Sequence, residues 1–163
     1  MVIKEKVIEP EWEPLETGDI LLDSFVHLKT VGRIMNRDFT SRLTKLGLTR
    51  VNFCIIYQLR QKFGSSTPTM LSKRIYVNKH NISQAITELE KDGIVKRTIN
   101  NSDNRTTIIT LTNKGKQYAD KIITDVRKLS RRVMSVLSEE ELQTLDKMMT
   151  RIRYHYLLEI LDQ

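Results

Sequence analysis

The apolar positions of the chain recur at helical spacing at both ends. Apolar residues lie three and four positions apart within residues 20–46, 119–133 and 142–160. This spacing places them on one face of a helix and leaves polar side chains on the other. The pattern predicts long amphipathic helices at the beginning and at the end of the chain.

Residues that commonly cap helices stand at the ends of these stretches. Asp19 precedes the first helix, Gly47 follows it, and Thr49 precedes a second helix. Ser138, with Glu141 three residues on, forms the pattern of a capping box before the last helix. These positions predict where each helix begins and ends.

A shorter pattern occupies the middle of the chain. Thr67-Pro68 predicts the start of a short helix, because a hydroxyl caps it and proline suits its first position. Asn78 predicts the cap of the next helix, and Gly93 its left-handed end. That second helix carries an apolar stripe of Ile82, Ile86 and Leu89, with Ala85 beside it.

Two runs with β-type composition follow the second short helix. They are Ile94–Ile99 and Thr106–Thr112, joined by the polar residues 100–105. A helix-turn-helix followed by a hairpin is a winged helix. We therefore predict a mainly α fold with a small β-hairpin wing (α+β), with residues 64–66 as a loop leading into the motif.

The charge of the chain is unevenly distributed. The net charge is +7, yet residues 1–19 hold two lysines and six carboxylates, and so carry −4. Residues 65–116 hold nine cations and four anions, a net +5. Basic charge concentrated on a winged helix is typical of a surface that binds DNA phosphates, although a lysine-rich soluble protein is the plain alternative.

Several short motifs follow one another in a set order. They are Leu71–Ile75, Leu89–Gly93, Asp103–Arg105 and Leu111–Gly115. At these spacings the chain resembles the MarR family of bacterial and archaeal transcription regulators, from about Asp19 onward. Members of that family often carry arginine where this chain has Gln84, so the bases read here are expected to differ.

The resemblance implies a homodimer joined through the terminal helices. We accordingly expect an N-terminal arm at 1–18, dimerisation helices at 19–47 and 113–163, and a DNA-binding lobe at 48–112. The apolar faces of the terminal helices exceed what a small lobe can cover, which also favours a second copy. Double-stranded DNA is the expected partner, in a near-palindromic operator at which the regulator represses transcription.

The polar face of the second short helix suits the major groove. His80, Asn81 and Gln84 are the predicted base readers, because amides pair with adenine and histidine meets a guanine acceptor. The predicted contacts to phosphates or sugars on that helix are Lys79, Ser83 and Thr87. The alternative is an ordinary solvated helix face.

Further cations are predicted to contact the DNA backbone. Lys73 and Arg74 belong to the first helix of the motif. Lys96 and Arg97 alternate along the first wing strand, so at most one of them faces DNA. The resemblance implies a minor-groove or backbone contact for Arg105, oriented by Asp103 through a charge-assisted hydrogen bond; a plain turn salt bridge is the alternative.

A small, often aromatic ligand is the second partner that the resemblance implies. It would bind between the dimer helices and the lobe, and its candidate lining is Phe25, His27, Arg33, Phe53 and Tyr57. The alternative is that the apolar members belong to the core. Cys54 fits an inert buried thiol better than a redox switch, because its neighbours are apolar.

The sequence argues against other classes of function. It contains no phosphate loop, nucleophile elbow or HExxH motif, so no enzyme activity and no cofactor are expected. The three histidines are far apart, so no metal site is expected. No apolar run could span a bilayer or form a signal-peptide core, which favours the cytoplasm. A protein-interaction adaptor and a non-specific architectural protein remain as alternatives.

Overall fold

The computed structural model describes residues 17–100 and 103–160, without the side chains of residues 62, 100, 103–105 and 160. The described helices are α1 (Ile20–Lys45), α2 (Arg50–Gln58), α3 (Pro68–Ile75), α4 (Lys79–Lys91), α5 (Asn113–Met134) and α6 (Glu139–His155). The strands are β1 (Ser65–Ser66), β2 (Val95–Asn100) and β3 (Asp103–Leu111). A π-helical turn, Leu59–Phe63, follows α2, and another, Tyr156–Ile160, follows α6. The predicted mainly helical fold with a small β wing is confirmed.

The described residues form two compact units that divide between Cys54 and Ile55. The expected arm at 1–18 lies outside the described residues, apart from Thr17 and Gly18. None of the helices in the described part of the chain is long and apolar enough to cross a bilayer.

The first unit is built on α1. The Asp19 carboxylate accepts two backbone N–H groups of the first turn, at 2.9 and 3.3 Å. At the other end Gly47 has a φ of 69°, and the Leu48 N–H bonds back to the Leu43 carbonyl at 3.0 Å. Both predicted ends of α1 are therefore confirmed, and Gly47 supplies the left-handed conformation that a side chain would disfavour.

Within this unit a few contacts join α1 to the start of α2. The rings of Phe39 and Phe53 meet edge to face, with centroids 4.9 Å apart. Arg50 donates to the Asn36 side chain at 2.8 Å. Leu43 is buried, yet it is the sole buried residue among the 26 of α1. Most of the apolar face of α1 therefore stays exposed within the chain.

In the second unit, α3 and α4 form the helix-turn-helix with the predicted caps. The Thr67 hydroxyl accepts from a backbone N–H of α3 at 3.2 Å, and Asn78 does the same for α4 at 2.8 Å. Tyr76 adopts a left-handed conformation with a φ of 57° between the helices. The Ser72 hydroxyl donates to the Val77 carbonyl at 2.6 Å and secures this turn.

The sheet has the antiparallel order β1-β3-β2. Val95 of β2 pairs with Leu111, and Ser65 of β1 pairs with Thr110 on the other edge of β3. The expectation of a plain loop at 64–66 is therefore wrong. Two serines carry no strand signal of their own, and β1 exists because β3 offers backbone partners along its outer edge.

The wing hairpin is longer than the sequence pattern indicates. β2 runs to Asn100 and β3 starts at Asp103, and these two residues pair after an irregularity at Ile99/Asn100. The predicted six-residue loop at 100–105 is therefore too long. Polar residues that suit turns can also continue a ladder once its register is set further down the hairpin.

A junction of backbone groups connects α4, β2 and α5. Gly93 has a φ of 70°, and the Ile94 N–H bonds to the Leu89 carbonyl at 2.8 Å, which ends α4 as predicted. The Ile94 carbonyl in turn accepts the Thr112 N–H at 3.0 Å. Thus one residue joins the end of α4 to the start of α5.

Gly115 allows α5 to approach this junction closely. A Cβ atom at residue 115 would lie 1.9 Å from the Ile94 carbonyl oxygen. The Thr112 hydroxyl accepts the Gly115 N–H at 2.9 Å and donates to the Gly93 carbonyl at 2.7 Å. Thr112 therefore caps α5, and position 115 must be glycine because a side chain would collide with the Ile94 carbonyl.

The core of the second unit lies between the sheet and the helices. It buries the apolar stripe of α4 together with side chains from the neighbouring elements: Ile55, Ile56, Leu59, Leu71, Ile82, Ala85, Ile86, Leu89, Ile94, Val95, Ile109, Leu111, Ala119, Ile122 and Ile123. At its surface Arg60 donates twice to Asp120, at 2.8 and 3.0 Å. The hydrogen bonds from Arg60 are the main cause that lowers the pKa of the Asp120 carboxyl.

Replacing Gly115 by alanine should destabilise the protein by about 3 kcal/mol, because a backbone oxygen occupies the space of the new methyl group. Gly32→Ala is the matched control, since a Cβ at that helical position meets nothing within 4 Å. That control should stabilise by about 0.5–1 kcal/mol. Denaturant unfolding of both variants measures the difference, and an unaltered midpoint for Gly115→Ala would show that the close approach is not present.

Candidate nucleic-acid interface

The exposed face of α4 collects the predicted reading residues. The side chains of Ile82, Ile86 and Leu89 are buried on the inner face, so the helix is fixed in rotation. The residues expected to contact DNA from this helix are all exposed on the outer side: Lys79, His80, Asn81, Ser83, Gln84 and Thr87. The amphipathic placement expected from the sequence is therefore what the structure shows, and the contacts themselves stay a prediction.

Gln84 is oriented by a neighbour on the same face. Its Nε2 donates to the Glu88 carboxylate at 3.2 Å. That donation uses one of the two N–H groups of the amide. The geometry leaves an amide edge that has both a donor and an acceptor, which is the pair that adenine requires. Glu88 was not among the predicted site residues, although the four-residue spacing from Gln84 is a signal for such a pair.

Thr87 already makes two hydrogen bonds within the fold. Its hydroxyl donates to the Ser83 carbonyl at 3.0 Å and accepts from Nη2 of Arg97 at 2.7 Å. A hydroxyl has one hydrogen to donate. The expected Thr87 contact to a phosphate would therefore replace its bond to Ser83.

Arg97 extends from β2 onto the C-terminal half of α4. Besides Thr87, its guanidinium meets Glu90, with Nε 3.3 Å from Oε2. The Arg97 backbone N–H also donates to Oε1 of Glu90 at 3.2 Å. Arg97, the predicted phosphate ligand, is thus bound to α4. Sequence reasoning missed Glu90, because the partners lie on different elements.

The two cations of α3 have different surroundings. Lys73 is exposed, whereas Arg74 is half-buried. The guanidinium carbon of Arg74 lies 3.5 Å from the centre of the Phe63 ring, and Nη1 donates to the Ser66 hydroxyl at 3.3 Å. Stacking and this hydrogen bond hold Arg74 against its own unit. Lys73 is therefore the better placed of the two to meet a phosphate.

The predicted wing pair lies at the start of β3. The backbones of Asp103 and Arg105 belong to that strand, close to the tip of the hairpin. Their side chains lie outside the described residues. The minor-groove role of Arg105 and the orienting role of Asp103 stay predictions.

The five residues expected to line a ligand pocket do not share one described cavity. Phe25 and Arg33 line a concavity of the first unit, whose other lining residues are Val26, Leu28, Lys29, Thr30, Gly32, Asn36 and Arg50. His27 lines a separate depression near the start of α1. Phe53 is buried against Phe39, and Tyr57 is a partly exposed residue of the second unit.

Cys54 lies in a setting that disfavours the thiolate. It is a free cysteine whose burial raises the pKa of the thiol, with a smaller opposing effect from Arg50. Because the thiolate is the reactive species, a raised pKa lowers reactivity at neutral pH. Among the described residues, no group of three or more His, Cys, Asp or Glu side chains could hold a metal ion.

A family model described as "Transcriptional regulator SarA/Rot" matches residues 38–122, just over half of the chain. The match covers both helices of the helix-turn-helix, the whole wing and the start of α5. It also contains every DNA-contact residue predicted above.

Individual relatives extend the similarity to most of the chain. The HTH-type transcriptional regulator MhqR of Bacillus subtilis is 26% identical over 80% of this chain and 90% of its own. The transcriptional regulator BldR of Sulfolobus solfataricus is 26% identical over 84% of this chain and 99% of that one, with a TM-score of 0.69. The organohalide-sensing regulator RdhR, in its 2,4-dichlorophenol-bound form, is 26% identical over 99% and 94%, with a TM-score of 0.70.

Cys54 should react slowly with a thiol reagent in the native protein. The rate should keep rising with pH beyond the ordinary thiol range near 8.5, where the rate of an unperturbed thiol levels off, because the pKa is raised. The release of chromophore from a disulfide reagent measures the rate, and the same protein in denaturant gives the reference. A native rate equal to the denatured rate would contradict the burial of this thiol.

Proposed function

The chain belongs to the SarA/Rot family of transcriptional regulators, with the MarR-type winged-helix fold, and we propose that it binds a near-palindromic DNA operator as a homodimer and represses transcription there. The family and the fold are those of regulators and not of enzymes. DNA binding follows from the regulator class. The operator symmetry, the dimer and the repression are our proposal.

The observation that carries this proposal is the outer face of α4. Its cap at Asn78 and its buried stripe hold a row of exposed hydrogen-bonding side chains on one side of a rigid helix. A helix of this kind fits the major groove, where each base pair presents a distinct pattern of donors and acceptors. We assign base reading to His80, Asn81 and Gln84.

The exposed apolar surface of the terminal helices supports a homodimer. On α1 the exposed fractions reach 75% for Ile20, 80% for Leu21 and 58% for Phe25. α6 has no buried residue, and Ile152 is 47% exposed. Surfaces this apolar on a helix mark an interaction site. A second copy with the same surfaces would cover them and place two recognition helices about 34 Å apart.

A small aromatic molecule is the ligand class that we propose for relief of repression. The regulator RdhR, to which this chain is similar, binds 2,4-dichlorophenol in its crystal structure. In this chain the concavity lined by Phe25 and Arg33 combines an aromatic ring with a cation, which suits a phenolate. Binding would act by changing the spacing of the two recognition helices.

Footprinting on DNA that flanks the gene of this chain tests the proposal. The protein should protect two half-sites about one helical turn apart, with two chains per duplex by sedimentation. Affinity should fall steeply with salt, because several phosphates are neutralised. Equal affinity for random duplex would favour an architectural protein, and no DNA affinity at low salt would favour a protein-interaction adaptor; either result would sink the proposal.

Gln84→Ala should relax discrimination at one base pair in each half-site, by about 1–3 kcal/mol, because a bidentate amide contact is lost. Binding to a panel of single-substitution operators measures this loss. Lys91→Ala is a suitable control, since that exposed residue lies in the last turn of α4, away from the reading residues. If Gln84→Ala weakens every sequence equally, Gln84 does not read bases.

A further inference from the structure

We propose that Arg97 is a positioning residue that fixes the wing to the recognition helix, and that it is not a phosphate ligand. The inference rests on the proposed DNA binding, and it says how the wing is held in a fixed position relative to α4. It reverses the role that the sequence predicts for this arginine.

Two hydrogen bonds and one ion pair tie Arg97 to α4. Nη2 donates to the Thr87 hydroxyl at 2.7 Å, and Nε lies 3.3 Å from Oε2 of Glu90. The other carboxylate oxygen of Glu90 accepts the Arg97 backbone N–H at 3.2 Å. One carboxylate therefore holds both the main chain and the side chain of the same strand residue.

The contact lies at the point where β2 leaves the core. Val95 is buried at the start of β2, directly after the Ile94 junction. Arg97 follows two residues later on the same face of the strand, about 6.6 Å further along it. Across the sheet Arg97 pairs with the buried Ile109, and beyond this level Ile99 is 66% exposed. The contact of Arg97 with α4 therefore braces the hairpin where it leaves the core, and so fixes the direction of the wing.

The local charge also argues against a phosphate contact. The Glu90 carboxylate meets the guanidinium, so the pair presents little net positive charge to DNA. A phosphate would have to compete with a carboxylate for the same fork of donors. Lys96 is an exposed cation on the opposite face of the strand, and it supplies the matched control for loss of one charge.

The sign of the effect of Glu90→Gln separates the two roles. If Arg97 positions the wing, Glu90→Gln should weaken operator binding, because the wing is released. If Arg97 binds a phosphate, removal of the competing carboxylate should tighten binding. Arg97→Lys adds a second test, since lysine keeps the charge but cannot make the forked contact.

The experiment measures operator affinity over a range of salt concentrations for the wild type, Arg97→Met, Arg97→Lys, Glu90→Gln and Lys96→Met. We expect Arg97→Met, Arg97→Lys and Glu90→Gln each to weaken binding about tenfold. For Arg97→Met the slope of log affinity against log salt should stay at the wild-type value. In hydroxyl-radical footprints the protection by the wing should shrink, and that by α4 should remain. Thermal unfolding verifies that each variant is folded.

Several results would overturn the inference. A slope reduced by about 0.9 in Arg97→Met would identify a neutralised phosphate. Tighter binding by Glu90→Gln, or full affinity in Arg97→Lys, would likewise indicate that Arg97 binds a phosphate. Unchanged affinity in Arg97→Met would show that the contact has no role in binding. Failure of the wild type to bind its operator would instead remove the proposed function on which the inference rests.

Discussion

The winged domain depends on the use of both backbone groups of Ile94. Its N–H completes the end of α4, and its carbonyl accepts the start of α5. Because a buried backbone group without a partner is costly, neither bond is readily given up. The absence of a side chain at Gly115 is what lets α5 come close enough for the second bond. The beginning of the wing is therefore set by the same atoms that end the recognition helix.

The fold also decides which cations of the domain a partner could reach. The sequence count of +5 over residues 65–116 overstates the charge available to a partner. Lys114 donates to the Asp92 carbonyl at 2.7 Å, and Arg74 lies against Phe63. Arg97 is paired with Glu90. The cations that bind other parts of the domain are thus the ones least available to phosphates. Exposed lysines such as Lys73 are therefore the better candidates for electrostatic contacts with DNA.

The predictable part of this structure is the part decided by neighbours in sequence. The caps at Asp19, Thr67 and Asn78 involve partners two or three residues away, so composition and spacing reveal them. The contact between Arg97 and Glu90 depends on which way a hairpin folds over a helix, and no local pattern contains that information. The same holds for β1 at Ser65, whose strand character is provided entirely by β3. The sequence therefore predicts which face of α4 carries the polar side chains, but not the hydrogen bonds that join this face to β2.

The exposed apolar faces of the terminal helices affect the stability of the chain as well as its assembly. A helix gains most of its stability in a protein from burial of its apolar face, and α1 buries only Leu43 within its own chain. Its cap at Asp19 and its surface pairs contribute modestly by comparison. In the homodimer that we propose, the folding of α1 and the association of two chains would thus be one process. The spacing of the recognition helices would then depend on surfaces other than the reading face of α4, and a ligand bound there would change it without competing for the bases.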